Sequence, residues 1–439
     1  MSDRVGWSGS RPRAGQRGTS TPRRRRRRPA TSAAPCSRPW VGQWSGRMSD
    51  VLVIDHANVV TTQGVIDGHV VTDGGRIVVV EAGPLPRAAG ARSAVLDLDG
   101  AWLCPGFIDL QINGAFGIDV TTEPHRIGEL GARLAIHGVT SFLPTVITCP
   151  ADRRAAALAA WRTLAAGGPP DDGPRGAVPL GLHLEGPMLS PTRRGAHPVE
   201  HLAAPSLELI DGWSAANGVV LVTMAPELPG ALEVVGALRD RGVAVSIGHT
   251  DCSAAEFVAA RAAGAAMVTH LFNAMRPFTH RDPGPIGAAL ADPSVVCGLI
   301  ADGVHVDPVA VAMAARACGP DRLALVTDAV AAMGASVAPM SADRLGSVDV
   351  VVGEGEVRTA GGVLAGSVCP LDRAVRNLIG WTEYDIPAAV RTVTAAPARV
   401  LGRGDLGVIE TGARADLVVL GAAGDVRHTI VGGRIVWSA

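Results

Sequence analysis

Four side chains that can bind metal or carry protons each stand at the tip of a short apolar run. They are Glu185 in GLHLEGP, His249 in VAVSIGHT, His270 in AAMVTHLFNAM and Asp328 in LALVTDA. Small or turn residues follow each one. An apolar run of four to eight residues bounded by turn signals reads as a buried strand. A polar, ligand-type side chain at its C-terminal tip is out of place in a core, but it is where (β/α)-barrel enzymes put their chemistry. Glutamate, histidine and histidine supply one carboxylate and two neutral imidazoles, a set suited to a hydrolytic metal site that keeps a position open for water. Such an ion lowers the pKa of its water towards ~7 and polarises a scissile carbonyl. A carboxylate beside it can take the water's proton and pass it to a leaving amine. On this reading Glu185, His249 and His270 hold the ion, and Asp328 moves protons.

Each residue taken alone has a plainer reading. A single histidine in an apolar chain is commonly a satisfied core or surface group, and Asp328 suits an N-cap for a following helix. The recurrence at successive strand tips argues against four coincidences, and a carboxylate after GLHL is expensive to bury unpaired. His183, two residues before Glu185, is a rival ligand, assigned here to a supporting place behind the ligands.

The elements that must position these residues follow from the same pattern. Eight apolar runs span 107–111, 140–146, 178–184, 219–224, 243–248, 266–270, 296–301 and 322–327. Most are separated by Ala-rich stretches of helical character, such as ADRRAAALAAWRTLAA and DCSAAEFVAARAAG. Strand–helix alternation repeated eight times is the signature of a (β/α)8 TIM-like barrel in the α/β class. A doubly wound sheet would want a Gly-rich phosphate turn after its first strand. PGFIDLQINGAFG does not provide one, and GEGEVRTAGG at 353–362 lacks the spacing and reads as part of a hairpin. Short strands with Gly turns fill 48–104 and return at 396–439, which predicts a small β-sandwich built from both chain ends around a barrel at 105–395.

Composition narrows the class further. The chain has 439 residues, 47% hydrophobic, with a formal net charge of −1, and no apolar run reaches the ~18 to 20 residues that span a bilayer. No apolar segment follows the basic N-terminus, so a secretory signal is not expected. The seven cysteines are scattered without a C-x-x-C pair, which favours a reducing cytoplasm over a disulfide framework or a thiolate zinc site. There is no lysine in the chain. Schiff-base chemistry, a P-loop and a carbamylated lysine bridging two metals are thereby excluded. Residues 1–47 hold the run Arg23 to Arg28, several prolines and no hydrophobic periodicity, so they are expected to be a disordered extension. They are either a nucleic-acid or membrane-binding arm or sequence upstream of a start at Met48. The second reading is preferred, because a basic arm has no role in the chemistry above.

The segments PGFIDLQING, GLHLEGP, RRGAH, SIGHT, THLFNAM, ADGVHVD and VTDA together resemble the N-acetylglucosamine-6-phosphate deacetylase family of the amidohydrolase superfamily, in order and across essentially all of 50–439. Many members of the superfamily carry His-x-His on the first strand for a second metal. Here that position reads Gln111-Ile112-Asn113, as is typical of the deacetylases, and it implies one divalent ion per subunit: zinc first, with iron, manganese or cobalt also suited. The resemblance implies that His197 polarises the acetyl carbonyl and that Ala196 meets substrate through its backbone. It further implies that Asn273, Ala274 and His305 contact the sugar or its phosphate, and that Leu364, Ala365 and Gly366 line the sugar pocket. Arg281 would reach the phosphate in the neighbouring subunit of a homodimer; guanidinium suits phosphate because it donates two hydrogen bonds at once. On the residues alone, Arg281 is equally a surface ion pair with Asp282, and His305 equally structural. The implied activity is hydrolysis of the acetamide of a phosphorylated amino sugar in the cytoplasm. Its rivals are a cyclic amidase or dihydroorotase-like hydrolase on the same scaffold, disfavoured by Gln111, Asn113 and the missing lysine, and a non-catalytic nucleic-acid-binding protein, suggested only by the arginine run.

Overall fold

A computed structural model of the chain describes residues 51–85, 94–167, 176–336 and 341–439; the extension 1–47 lies outside them. All eight apolar runs contain strands. In order around the barrel they are Phe107–Ile112, Val139–Ile147, Leu182–Glu185, Val219–Met224, Ala244–Ile247, Met267–Val268, Val296–Leu299 and Leu323–Leu325, hereafter barrel strands 1 to 8. Each is parallel to its neighbours from strand 1 to strand 8. Strands 8 and 1 meet through Asp328 N–H donating to the Gln111 carbonyl (2.8 Å) and Asn113 N–H donating to the Ala329 carbonyl (2.8 Å). The run at 178–184 is broken at Leu180 and Gly181, so that only Leu182–Glu185 is barrel strand 3, while Val178–Pro179 pairs separately with strand 2.

The interior is filled by Ile108, Leu110, Leu143, Leu221, Met267, Val296 and Val326, and is plugged from one end by Ala396, Ala398, Val400 and Leu406. The Ala-rich stretches are helices at Ala151–Gly167 and Ala254–Ala263. The second starts on a capping box in which the Ser253 hydroxyl accepts from Glu256 N–H while the Glu256 carboxylate accepts from Ser253 N–H, satisfying two N-terminal donors reciprocally. After strand 3 no such helix forms: only three short 3-10 turns occur between Glu185 and Val219, which leaves the RRGAH segment free to fold over the barrel mouth. After strand 8 comes a three-stranded antiparallel sheet, Ser341–Leu345, Val348–Val352 and Val357–Thr359, so GEGEVRTAGG does belong to a hairpin.

The chain ends share one eight-stranded sheet. Trp102–Pro105 joins Leu52–Thr61 on one side and Leu417–Leu420 on the other, around its own apolar cluster of Ile54, Val59, Val70, Ile77, Leu103, Leu417 and Ile430. Trp102–Pro105 runs almost directly into barrel strand 1, with Gly106 N–H donating to the Asp416 carbonyl (2.8 Å). The sheet is thereby tied to the strand that carries Gln111. No helix among the described residues is long and apolar enough to cross a membrane.

Candidate active site

Glu185, His249, His270 and Asp328 meet at the C-terminal mouth of the barrel, each between 2% and 8% exposed. Three of the four leave their strands through unusual backbone: His249, His270 and Asp328 have φ of 49°, 27° and 48°, the left-handed region that non-glycine residues avoid. Such a conformation costs about 1–3 kcal/mol per residue and persists where the surroundings over-determine it. Asp328 does not begin a helix, so the N-cap reading fails.

The Glu185 Oε1, His249 Nε2 and His270 Nε2 atoms lie 3.1–3.2 Å from one another. Ligands at about 2.0–2.2 Å in a tetrahedral set are about 3.3–3.5 Å apart, so the triangle is close to one face of such a set. His249 Nδ1 faces the Arg193 carbonyl at 3.0 Å and must therefore carry the ring proton, which leaves Nε2 a lone pair. Two ring nitrogens and a carboxylate oxygen this close repel unless a positive charge sits among them, and a divalent ion satisfies all three at once. Burial alone would raise the Glu185 carboxyl, yet the two histidines hold it well below its usual range. The donor set fits a divalent metal ion.

A second triple, Glu185, His197 and His249, also brings one ligand atom from each within 4.8 Å, but hydrogen bonding separates His197 from the others. The Thr148 backbone N–H, which can only donate, points at His197 Nδ1 (3.3 Å), and the Thr148 hydroxyl lies 2.9 Å from it. Nδ1 is thus the acceptor and Nε2 bears the proton. Burial pushes this ring down to about 3, so at neutral pH it is an uncharged donor, with Nε2 3.7 Å from Glu185 Oε2. That is the tautomer that polarises a carbonyl rather than one that binds metal. His183 faces the Thr223 and Thr145 hydroxyls (2.8 and 3.3 Å) and burial holds it near 4; it is not part of the cavity wall.

Asp328 is held from barrel strand 1. Gln111 Nε2 donates to Asp328 Oδ1 (3.1 Å) and to Glu185 Oε1 (3.0 Å), and Asn113 Nδ2 donates to Asp328 Oδ1 (2.7 Å). The two amides read from sequence as poor ligands are therefore hydrogen-bond donors to the acid groups. Behind them the Thr327 hydroxyl donates to Asp109 Oδ2 (2.6 Å), and burial pushes Asp109 up to about 7. Burial, then the charge of Glu185, push Asp328 up to about 6, within the range useful to a group that takes and returns a proton near neutrality.

Glu185, His249, His270, Asn113 and Asp328 line a cavity of about 560 Å³, a size typical of small-molecule sites. His197, Ala196, Asn273, Ala274 and His305 line it too, as do Leu364, Ala365 and Gly366. Gly195 stands at φ +56°, and a Cβ there would sit 3.2 Å from His249 Cε1, so the turn that carries Ala196 can lie against the His249 ring. Asp302 Oδ2 is 2.7 Å from His305 Nδ1, leaving Nε2 free for the cavity; the structural and binding readings of His305 are compatible. Arg281 does not line the cavity. It is exposed, and Asp282 pairs with Arg276 instead (3.5 Å), so the surface-pair reading of Arg281 fails. Sequence reasoning missed Thr148, Leu345 and Arg358. Asp302 carried a legible signal, an acid three residues before His305.

A family model described as the amidohydrolase family matches residues 102–436, and the chain belongs to that family. Within it, an N-acetylglucosamine-6-phosphate deacetylase from Homo sapiens is 40% identical over 362 residues, covering 78% of this chain and 85% of that one. An N-acetylgalactosamine-6-phosphate deacetylase from Escherichia coli O157:H7 is 35% identical, covering 87% and 98%. The crystal structure of an N-acetylglucosamine-6-phosphate deacetylase from Thermotoga maritima superposes with a TM-score of 0.79 at 29% identity, covering 88% of this chain and 100% of that one. The chain is thus a member of the N-acetylglucosamine-6-phosphate deacetylases.

Proposed function

We propose that this chain hydrolyses the acetamide of N-acetyl-D-glucosamine 6-phosphate to D-glucosamine 6-phosphate and acetate, in amino-sugar metabolism. The observation that carries the reading is the triangle of Glu185, His249 and His270 atoms, with a carboxylate and a neutral histidine donor beside it, inside a cavity walled by the family's motifs. Glu185, His249 and His270 hold one divalent ion, with zinc favoured by two imidazoles and a carboxylate. When bound, the ion supplies Lewis acidity and a lowered pKa for water. Asp328 takes a proton from the attacking water as its oxygen bonds to the acetyl carbon. His197 Nε2–H donates to the carbonyl oxygen as charge develops there. Asp328 then returns the proton to the nitrogen as the C–N bond breaks, and the remaining acid proton leaves to give acetate and the amine.

The Asn273 and Ala274 turn, His305 and the Leu364–Gly366 segment receive the sugar phosphate. The enzyme acts as a homodimer in the cytoplasm, where the six described cysteines, all free, suit a reducing compartment. The direct test is acetate release from the 6-phosphates of N-acetylglucosamine and N-acetylgalactosamine and from the unphosphorylated sugars. The glucosamine derivative should have the highest kcat/KM, and a preference for the galactosamine epimer would overturn the substrate assignment.

Two predictions belong to this reading. The Asp328 carboxylate must be ionised to accept a proton, so kcat/KM should be lost as pH falls through its pKa. With the apoprotein group near 6 and a cation favouring the ionised form, the acid limb should lie at or below about 6. Asp328→Asn should remove that limb, and an unchanged limb in the residual activity would assign it to another group.

The second concerns Arg281, which is exposed in the Pro277–Asp282 loop and does not line its own cavity; it would complete the partner's phosphate site. A charge-assisted phosphate contact of ~1.5 to 3 kcal/mol corresponds to roughly ten- to more than a hundredfold in affinity. Arg281→Ala should raise KM for the phosphorylated sugar by that factor and leave activity on N-acetylglucosamine almost unchanged. Mixing Arg281→Ala with Asp328→Asn protomers should restore activity, because one heterodimer site keeps its own Asp328 and receives Arg281. Heterodimers that form and stay inactive would place the arginine's action within its own chain.

A further inference from the structure

Asp328 holds its left-handed backbone, at φ 48°, between two pinned peptide planes. Because a peptide is planar, φ is the angle at which the Thr327–Asp328 peptide is turned about the Asp328 N–Cα bond. On one edge of that peptide the Asp328 N–H donates to the Gln111 carbonyl (2.8 Å). On the opposite edge the Thr327 carbonyl accepts from the Ser367 hydroxyl (2.6 Å). The following peptide is fixed in the same way: the Asp328 carbonyl accepts from Ser367 N–H (2.9 Å), and Ala329 N–H donates to the Thr327 hydroxyl (3.2 Å). Ser367 is fully buried, and its own carbonyl accepts from Val330 N–H (3.1 Å), so it is tied to the chain on both sides of Asp328. It follows directly on the Leu364–Gly366 segment of the cavity wall. Gly366 lies so close that a Cβ on it would stand 2.8 Å from the Asp328 carbonyl oxygen.

We infer that Ser367 is a positioning residue for Asp328, an inference that rests on the deacetylase reading above. Its hydroxyl holds the strained peptide and thereby aims the carboxylate that moves protons. A non-glycine residue at positive φ gains by turning its peptide to an ordinary angle. One hydrogen bond is worth about as much as that strain, so removing the hydroxyl tips the balance towards a relaxed backbone. Asp328 Oδ1 stays tethered to the amides of Gln111 and Asn113, so the carboxylate pivots rather than leaves the site. Proton transfer depends on placement within hydrogen-bond reach and slows when the carboxylate turns. Glu185, His249 and His270 stand at the ends of other strands, so the effect falls on turnover and not on metal binding.

The experiment is a double-mutant cycle in the metal-loaded enzyme: wild type, Ser367→Ala, Asp328→Asn and the double variant. Acetate release from the acetamido sugar 6-phosphate is expressed per bound metal, which corrects for any unfolded fraction. Ser367→Ala should keep its metal and hold KM within about threefold while kcat falls about tenfold, the worth of a neutral hydrogen bond. In the Asp328→Asn background no carboxylate remains to aim, so the same substitution should change the residual kcat by less than about twofold. Should alanine leave too little metal-bound protein, Ser367→Cys, close in shape but a much weaker donor, carries the same comparisons. An unchanged kcat in Ser367→Ala would overturn the assignment. A loss carried by KM would place the hydroxyl's role in the sugar pocket instead, and an equal tenfold loss in both backgrounds would show that it does not act through Asp328. Failure of the wild-type enzyme to cleave the acetamide at all would instead overturn the deacetylase reading, so the two failures are distinct.

Discussion

Asp328→Asn is expected to bind its metal and its substrate and yet turn over at least ~100-fold more slowly, the usual scale for losing a general acid–base group. The variant should keep its shape. Asparagine can place its carbonyl oxygen where Oδ1 now accepts from Gln111 and Asn113, and its backbone N–H still closes the barrel onto the Gln111 carbonyl. What disappears is the second oxygen, the one able to take and return a proton. Metal analysis together with single-turnover acetate release would separate this loss from a binding defect. Near-normal turnover would mean that the proton carrier lies elsewhere, with Asp109, a buried carboxyl bonded to the Thr327 hydroxyl, the next group to test.

Replacing His249 or His270 by glutamine should remove metal and activity together. Losing a partner behind a ligand already costs 10- to 100-fold in metal affinity, so losing one of three ligands should exceed ~100-fold. The two substitutions differ in their side effects. His249→Gln also gives up the contact to the Arg193 carbonyl and so loosens the RRGAH turn, whereas His270 Nδ1 has no partner to lose. His270→Gln is therefore the cleaner test of ligation, and added metal should rescue it more fully. A variant that kept full metal content and full turnover would strike that residue from the ligand set. His197→Gln offers the contrast: with its proton on Nε2, that ring has no lone pair there to offer an ion, so metal content should hold while kcat falls.

Much of this molecule was legible in one dimension. Strand-length apolar runs ending in Glu185, His249, His270 and Asp328 announced a parallel barrel and its chemical end, because parallel strands buried on both faces carry continuous hydrophobic sequence and a polar residue survives only at the tip. The β-rich chain ends were visible in their Gly-punctuated texture, and the absence of lysine removed whole mechanisms without any coordinates. Ring tautomers were not legible. His197 and His249 are the same residue type at similar depth, and only a backbone N–H from Thr148 against one and the Arg193 carbonyl against the other gives the first a proton on Nε2 and the second a lone pair there. Nor was the role of strand 1. Its register against strand 2 slips between Asp109, opposite Phe142, and Ile112, opposite Pro144, and such a bulge re-aims side chains in a way that alternation along one strand cannot foretell. The amides of Gln111 and Asn113 read in sequence only as missing histidines. They became the donors that hold Asp328 once barrel closure brought strand 8 beside strand 1, more than two hundred residues away along the chain, because a hydrogen bond depends on where two atoms end up and not on what either residue is alone.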